Sequence, residues 1–234
     1  FVLASKTPTR HHEGNVYSEL EAAFAKAAGL FAPRFEPVRI PWDGGTIPGW
    51  FLSPGGKGRR PTVILNNGSD AQNIDMYVYG GAAALERGWN ALIIEGPGQG
   101  GNLFLRSQVF IPEWEKVITP VVDFLRARPE VDRGRISLIG QSFGGLLVAR
   151  AAVHERRLAG LVTDTGVTNA FWTWEKELPP AMLKLLRAER ATEFDHIWNE
   201  IPQELNEAGR FSVAKRSEIY GNGGGYERMS NASR

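Results

Sequence analysis

The sequence contains no cysteine, which excludes a disulfide framework, a thiolate metal site and a cysteine nucleophile. No apolar run approaches the ~20 residues needed to span a bilayer, so no membrane partner is expected. Charge of one sign is also lacking. The chain carries 27 Lys and Arg against 26 Asp and Glu, a net charge of +1. The basic residues are scattered, so no electrostatic footprint for nucleic acid is present. Histidine is scarce, with four in 234 residues. Two of them, His11 and His12, are adjacent and point in different directions on any regular backbone, and no third ligand is spaced to join them. An exposed tail is expected there, with no metal and no cofactor. The opening Phe1-Val2-Leu3-Ala4 is too short for a signal peptide, and the first residue is not Met, which suggests a removed start. A cytoplasmic location is the default expectation.

What is present is an apolar fraction of 42%, enough for the core of one large α/β domain with an insertion, or of two small domains. The chain is organised around Arg135-Ile136-Ser137-Leu138-Ile139-Gly140-Gln141-Ser142-Phe143-Gly144-Gly145-Leu146-Leu147-Val148-Ala149. An apolar run enters Gly-x-Ser-x-Gly and a second run with helical content leaves it, which reads as strand, tight turn and helix with Ser142 at the apex. Such a turn strains the serine backbone and requires small neighbours, here Gly140 and Gly144. Ser142 Oγ then stands clear of the sheet as a candidate nucleophile. The amide of Phe143, at the start of the helix, is placed to hold a developing oxyanion.

The remaining segments fit that centre. Glu19 to Leu30 has helical spacing and closes an N-terminal segment, 1–33. Glu36–Pro41 and Ile47–Ser53 flank Asp43-Gly44-Gly45 and read as a hairpin. Thr62-Val63-Ile64-Leu65 and Ala91-Leu92-Ile93-Ile94 have the composition of strands buried on both faces. Helices are expected over Ile74–Arg87 and Glu113–Arg128, the elbow helix runs to about His154, and Leu158–Thr163 is a further strand. This alternation over 34–167 predicts right-handed crossovers and a mostly parallel, doubly wound sheet. Ligands bind outside the carboxyl ends of such strands. The loops Asn67–Asp70, Glu95–Gly101 and Gln141–Gly144 leave those ends and are expected to converge on one pocket for a small-molecule substrate, with Asp70 in its wall.

From 168 to 220 the period changes to helices alone, at about Ala170–Glu177, Pro180–Arg190, Glu193–Asn199 and Gln203–Glu207. An all-helical insertion here is expected to cover the pocket as a lid. Its tryptophans, Trp172, Trp174 and Trp198, either line an aromatic substrate site or join the lid to the body. Residues 221–234 show no periodicity and are expected to be disordered.

The elbow, the lid position and the loop order resemble the α/β-hydrolase superfamily. A narrower resemblance rests on Asn67-Gly68-Ser69-Asp70, Asp75-Met76-Tyr77, Gly80-Gly81-Ala82-Ala83-Ala84-Leu85-Glu86-Arg87-Gly88, Glu95-Gly96-Pro97-Gly98-Gln99-Gly100 and Gly140-Gln141-Ser142-Phe143-Gly144-Gly145. Together these resemble the 2,6-dihydroxypseudooxynicotine hydrolase and FrsA-like branch over roughly residues 14 to 220. The resemblance implies an N-terminal helical segment, a tendency to dimerise, kinship with a carbon–carbon bond hydrolase acting on a diketone-like aromatic substrate, and a second oxyanion donor at the amide of Ser69. The serine hydrolase expected here cleaves a carbon–carbon, ester or amide bond next to a carbonyl.

The superfamily orders its triad as nucleophile, acid, histidine, with the last two after further strands, and none follows here. His154 lies twelve residues along the elbow helix, ~18 Å from Ser142, and is excluded as the base. His196, in the expected lid, and Asp164, at the end of the strand after the elbow, are the remaining candidates for base and acid. The plainest expectation is a fragment or truncated product of a longer hydrolase, lacking the C-terminal strands. Two functions follow: a serine hydrolase, or a catalytically inactive α/β-hydrolase-like binding module.

Overall fold

A computed structural model of the chain describes residues 10–204, 206, 209–210, 213, 217–221 and 223–233. Helix α1 (Arg10–Ala28) is followed by strands β1 (Glu36–Trp42), β2 (Gly45–Leu52) and β3 (Arg60–Asn66). Helices α2 (Asn73–Met76) and α3 (Ala82–Glu86) are joined by a π-helical turn, Tyr77–Gly81. Next come β4 (Asn90–Ile94), the short α4 (Gly100–Phe104), α5 (Glu115–Ala127), β5 (Val131–Gln141), α6 (Phe143–His154) and β6 (Gly160–Asp164). Then follow the helices α7 (Trp172–Glu177), α8 (Pro180–Arg187), α9 (Ala191–Glu204) and α10 (Gly225–Ala232), with further helical residues at Gly209, Arg210, Val213, Ser217 and Glu218 between the last two.

The six strands form one sheet in the order β1-β2-β4-β3-β5-β6. The β1–β2 and β2–β4 pairs are antiparallel and the other three pairs are parallel. Trp42 pairs with Gly45 across the hairpin, so Asp43-Gly44 is the turn its composition implied. The apolar runs of β3 and β4 follow from burial on both faces. Val63, Leu65, Ala91 and Ile93 pack with Phe24 and Ala28 of α1 and with Met76 and Ala84 of α2 and α3. Their alternates Ile64, Leu92 and Ile94 pack with Val117, Val121 and Leu125 of α5 and with Leu147, Val148 and Ala151 of α6. The period-two side-chain alternation of a strand thus divides the core into two layers. A third cluster, around Trp174, Phe194, Trp198 and Met229, lies within the C-terminal helices.

Three expectations change. Helix α1 begins at Arg10 instead of Glu19, and Tyr17, about two turns before the buried Phe24, adds a further buried position to its inward face. Part of the tail expected to be disordered after Tyr220 is the helix α10. Its inward residues are Gly225, Met229 and Ala232, of which Met229 alone is a large apolar side chain, so no hydrophobic period shows, and its first turn is held by Asp195, whose Oδ1 accepts the Tyr226 amide at 2.7 Å. That cap is 31 residues away in sequence. The helix expected over Gln203–Glu207 begins as the end of α9, and Leu205 and Glu207 lie outside the described residues. Phe1–Ala4 and the side chains of His11 and His12 also lie outside them. No helix among the described residues is long and apolar enough to cross a membrane.

Candidate active site

The site is built where β5 turns into α6. Ser142 adopts φ 55° and ψ −128°, a left-handed conformation that costs of order 1–3 kcal/mol for a non-glycine residue and persists only where packing enforces it. The enforcement is visible. A Cβ on Gly140 would stand 2.2 Å from the Gly144 carbonyl oxygen, and one on Gly144 would stand 2.4 Å from the Asn67 carbonyl oxygen. Neither approach leaves room for any side chain. The Ser142 amide donates to the Asp164 carbonyl at 2.5 Å, and its own carbonyl accepts from the Gly145 amide at 2.9 Å. Phe143 is the first residue of α6, so its amide has no acceptor within the helix.

The loop after β3 lies directly against this turn. A Cβ built on Gly68 would be 2.9 Å from Ser142 Cβ and 3.2 Å from the Phe143 nitrogen. Asn67–Asp70 therefore borders both Ser142 and the Phe143 amide. Ser69 Oγ donates to Asp70 Oδ2 at 2.9 Å.

These residues open into a cavity of about 210 Å³. Ser69, Asp70, Ser142 and Phe143 line it, together with Val167, Asn169 and Ala170. Trp174 and Glu177 of α7, and Ile219 and Tyr220, complete the lining. The Phe143 ring meets Phe110 and Tyr220 edge-on at centroid distances of 5.0 and 6.0 Å, so it sits within an aromatic group. Glu177, Asn169, Ile219 and Tyr220 had no signal in the sequence, because they meet Ser142 only through the folding-back of the helical segment.

The other sequence candidates are placed differently. Trp174 faces the cavity, but Trp172 is 55% exposed and is not among its lining residues. Two positions apart on a helix are about 200° apart in direction, so α7 presents one or the other. The Trp198 ring sits behind Trp174, 6.2 Å away, inside the helical cluster. His196 leaves 78% of its side chain exposed beside Glu200, 3.6 Å away on the next turn of α9, and does not line the cavity. Asp164 meets the elbow through its backbone carbonyl, not its carboxyl, and is also absent from the lining. Among the described residues no group of three or more His, Cys, Asp or Glu is arranged to hold a metal ion.

Of the three loops expected to meet, Asn67–Asp70 and the elbow line the cavity, whereas Glu95–Gly101 does not. It is a buried support behind them. Glu95 is 1% exposed. Its Oε2 accepts from the Tyr17 hydroxyl of α1 at 2.6 Å and from the Gly101 amide at 3.0 Å. Burial above all, with the charge of Glu21, pushes the Glu95 carboxyl up to about 7 against the hydrogen bonds from Tyr17 and the Gly101 and Asn73 backbone. Burial and the two neighbouring carboxylates likewise push the Tyr17 hydroxyl up.

No protein-family model matches the sequence. The chain is 33% identical over 167 residues to the hydrolase LUC6 of Fusarium sp, covering 68% of this chain and 40% of that protein. It is 32% identical over 179 residues to the alpha/beta hydrolase gkaG of Penicillium citrinum, covering 70% of this chain and 41% of that one. The chain thus spans less than half the length of these curated relatives. Among solved structures it is similar to 2,6-dihydroxy-pseudo-oxynicotine hydrolase, with a TM-score of 0.60 and 23% identity over 91% of this chain and 56% of that one. At that identity the likeness is one of fold.

Proposed function

This chain belongs to the α/β-hydrolase superfamily, and on that premise we propose that it carries the nucleophile half of a serine hydrolase acting on a small carbonyl compound. The observation that carries the reading is the backbone of Ser142, a non-glycine residue at φ 55° on the apex of a strand–turn–helix, with the Asn67–Asp70 loop packed against it. Strain of this kind, held by glycine packing on either side, is a feature a merely structural serine does not need.

In this reading Ser142 Oγ adds to the substrate carbonyl. The charge that develops on the carbonyl oxygen is taken by the Phe143 and Ser69 amides, fixed dipoles that need no reorganisation as the reaction proceeds. The proton leaving Oγ requires a base. Neither described histidine after the elbow lines the cavity, so the reading takes the base from another part of the whole protein. The lining combines aromatic and apolar residues, Phe143, Trp174, Ile219 and Tyr220, with the polar Ser69, Asp70, Asn169 and Glu177, which suits a flat or aromatic substrate that also carries polar groups. The helical segment 168–220 then acts as its lid, with the cleaved bond a carbon–carbon, ester or amide bond beside the carbonyl.

The test is labelling with a fluorophosphonate probe, together with turnover of a panel of aryl esters, in the full-length protein and its Ser142→Ala variant. Labelling at Ser142 and loss of about 10⁴-fold or more in kcat on substitution are expected. A folded Ser142→Ala protein with parental turnover would overturn the assignment. Absence of both labelling and turnover in the parent would point instead to a binding module.

A further inference from the structure

The Glu95–Gly101 loop is excluded from the cavity, yet one of its side chains touches the oxyanion loop directly. Gln99 is 1% exposed. Its Nε2 donates to the Asn67 carbonyl at 2.7 Å and to the Gly68 carbonyl at 3.1 Å, and its Oε1 accepts the Gly96 amide at 2.8 Å. Both amide hydrogens and the amide oxygen are therefore used. The backbone of Gln99 is fixed as well. Its amide donates to the Gly96 carbonyl at 3.2 Å, and its carbonyl accepts from Asn102 and Leu103 at 3.0 and 3.1 Å at the start of α4.

The Gly68 carbonyl and the Ser69 amide belong to one planar peptide unit, in which C=O and N–H point in opposite directions. A donor that holds the carbonyl on one side therefore fixes the direction of the N–H on the other. Ser69 lines the cavity beside Ser142, while Gln99 lies behind the loop. The same hydrogen bond also polarises the peptide and makes its N–H a better donor. Without Gln99, the two carbonyls would be left buried with fewer partners, and the glycine at 68 would leave the peptide free to rotate.

We propose that Gln99 is a positioning residue for the oxyanion hole, which fixes the Ser69 amide toward the carbonyl oxygen by holding the Gly68 carbonyl from behind. The inference rests on the serine-hydrolase reading and deepens it. It gives the Gly-Pro-Gly-Gln-Gly loop a task at a site it does not line.

The test compares Gln99→Met and Gln99→Glu with the parent in the full-length protein. Gln99→Met matches the length of the side chain without its hydrogen bonds. Gln99→Glu keeps the acceptor for the Gly96 amide but turns an oxygen toward the two carbonyls. The readouts are kcat and KM for 4-nitrophenyl acetate, inhibition by an aryl trifluoromethyl ketone, whose adduct carries an oxyanion, and the melting temperature. A fall in kcat of about 10- to 100-fold is expected, with KM within about threefold and ketone affinity falling with kcat, since one misdirected oxyanion donor acts on the transition state alone. A purely structural residue would lower the melting temperature and leave kcat and ketone affinity unchanged in the folded protein, and that result overturns the proposal. Should Gln99→Met not fold, Gln99→Glu carries the test alone under the same two outcomes. Ser142→Ala, measured alongside, separates the two readings. Turnover that survives Ser142→Ala overturns the serine assignment and this inference with it. Turnover lost with Ser142→Ala but untouched by both Gln99 variants overturns only the inference.

Discussion

Replacing Glu95 with Gln tests whether the buried carboxyl behind the Asn67–Asp70 loop is neutral in the folded protein. The substitution is close to isosteric. It keeps one acceptor for the Tyr17 hydroxyl and the Gly101 amide and puts an uncharged amide where Glu95 Oε1 has no partner. Burial raises the carboxyl from its ordinary 4.5 to about 7 in the fold. Below pH 4.5 the folded and unfolded chains both hold the proton, and the stability contribution is complete. Between pH 4.5 and 7 the unfolded chain ionises first and binds fewer protons than the folded one, so stability falls as pH rises, and the loss is complete above the folded value. That interval corresponds to about 3 kcal/mol, and the group is fully buried, so little of it is screened by solvent. Urea unfolding followed by tryptophan fluorescence at intervals from pH 4 to pH 8 would give ΔG for both proteins. Other carboxylates titrate in both and cancel in the difference, apart from Glu21, which contributes to the Glu95 shift. The variant should gain on the parent by about 3 kcal/mol across this range. Parallel curves, agreeing to within about 0.5 kcal/mol, would show that Glu95 is already ionised in the fold and that the Tyr17 contact is a charged one.

Gly144→Val should lower the melting temperature by at least several degrees as well as remove activity, since its Cβ would meet two backbone carbonyls at 2.4 and 2.8 Å and such overpacking costs about 1–3 kcal/mol or more. Thermal denaturation followed by circular dichroism reads this, and an unchanged transition would mean that the turn is not held by close packing. Trp174→Phe should reduce the quenching of tryptophan fluorescence by an aromatic ligand, because Trp174 lines the cavity, while Trp172→Phe should leave it as it is. Equal quenching in both variants and the parent would retire the aromatic site at α7.

The elbow was legible because every feature it needs is local. Two glycines, a serine and two apolar runs lie within fifteen residues, and the strain at Ser142 follows from their order. The sheet was legible for a similar reason. Runs such as Thr62–Leu65 and Ala91–Ile94 have the composition of strands covered on both faces, and the two core layers bear that out. What stayed hidden depends on pairings between distant residues. Tyr17 and Glu95 are 78 residues apart, and nothing in either neighbourhood marks the other. Tyr220 and Glu177 reach the cavity only because the last helices pack as a cluster around Trp198, and α10 joins that cluster through an aspartate 31 residues away. The Glu95–Gly101 loop shows the same limit most sharply. Its glycines and proline establish that the chain turns sharply at the end of β4, but turn chemistry does not specify which side of the neighbouring loop the turn occupies. That is decided by Glu95, whose burial requires the partners Tyr17 and Gly101, and the choice puts the amide of Gln99, not an open loop, behind the residues that face Ser142.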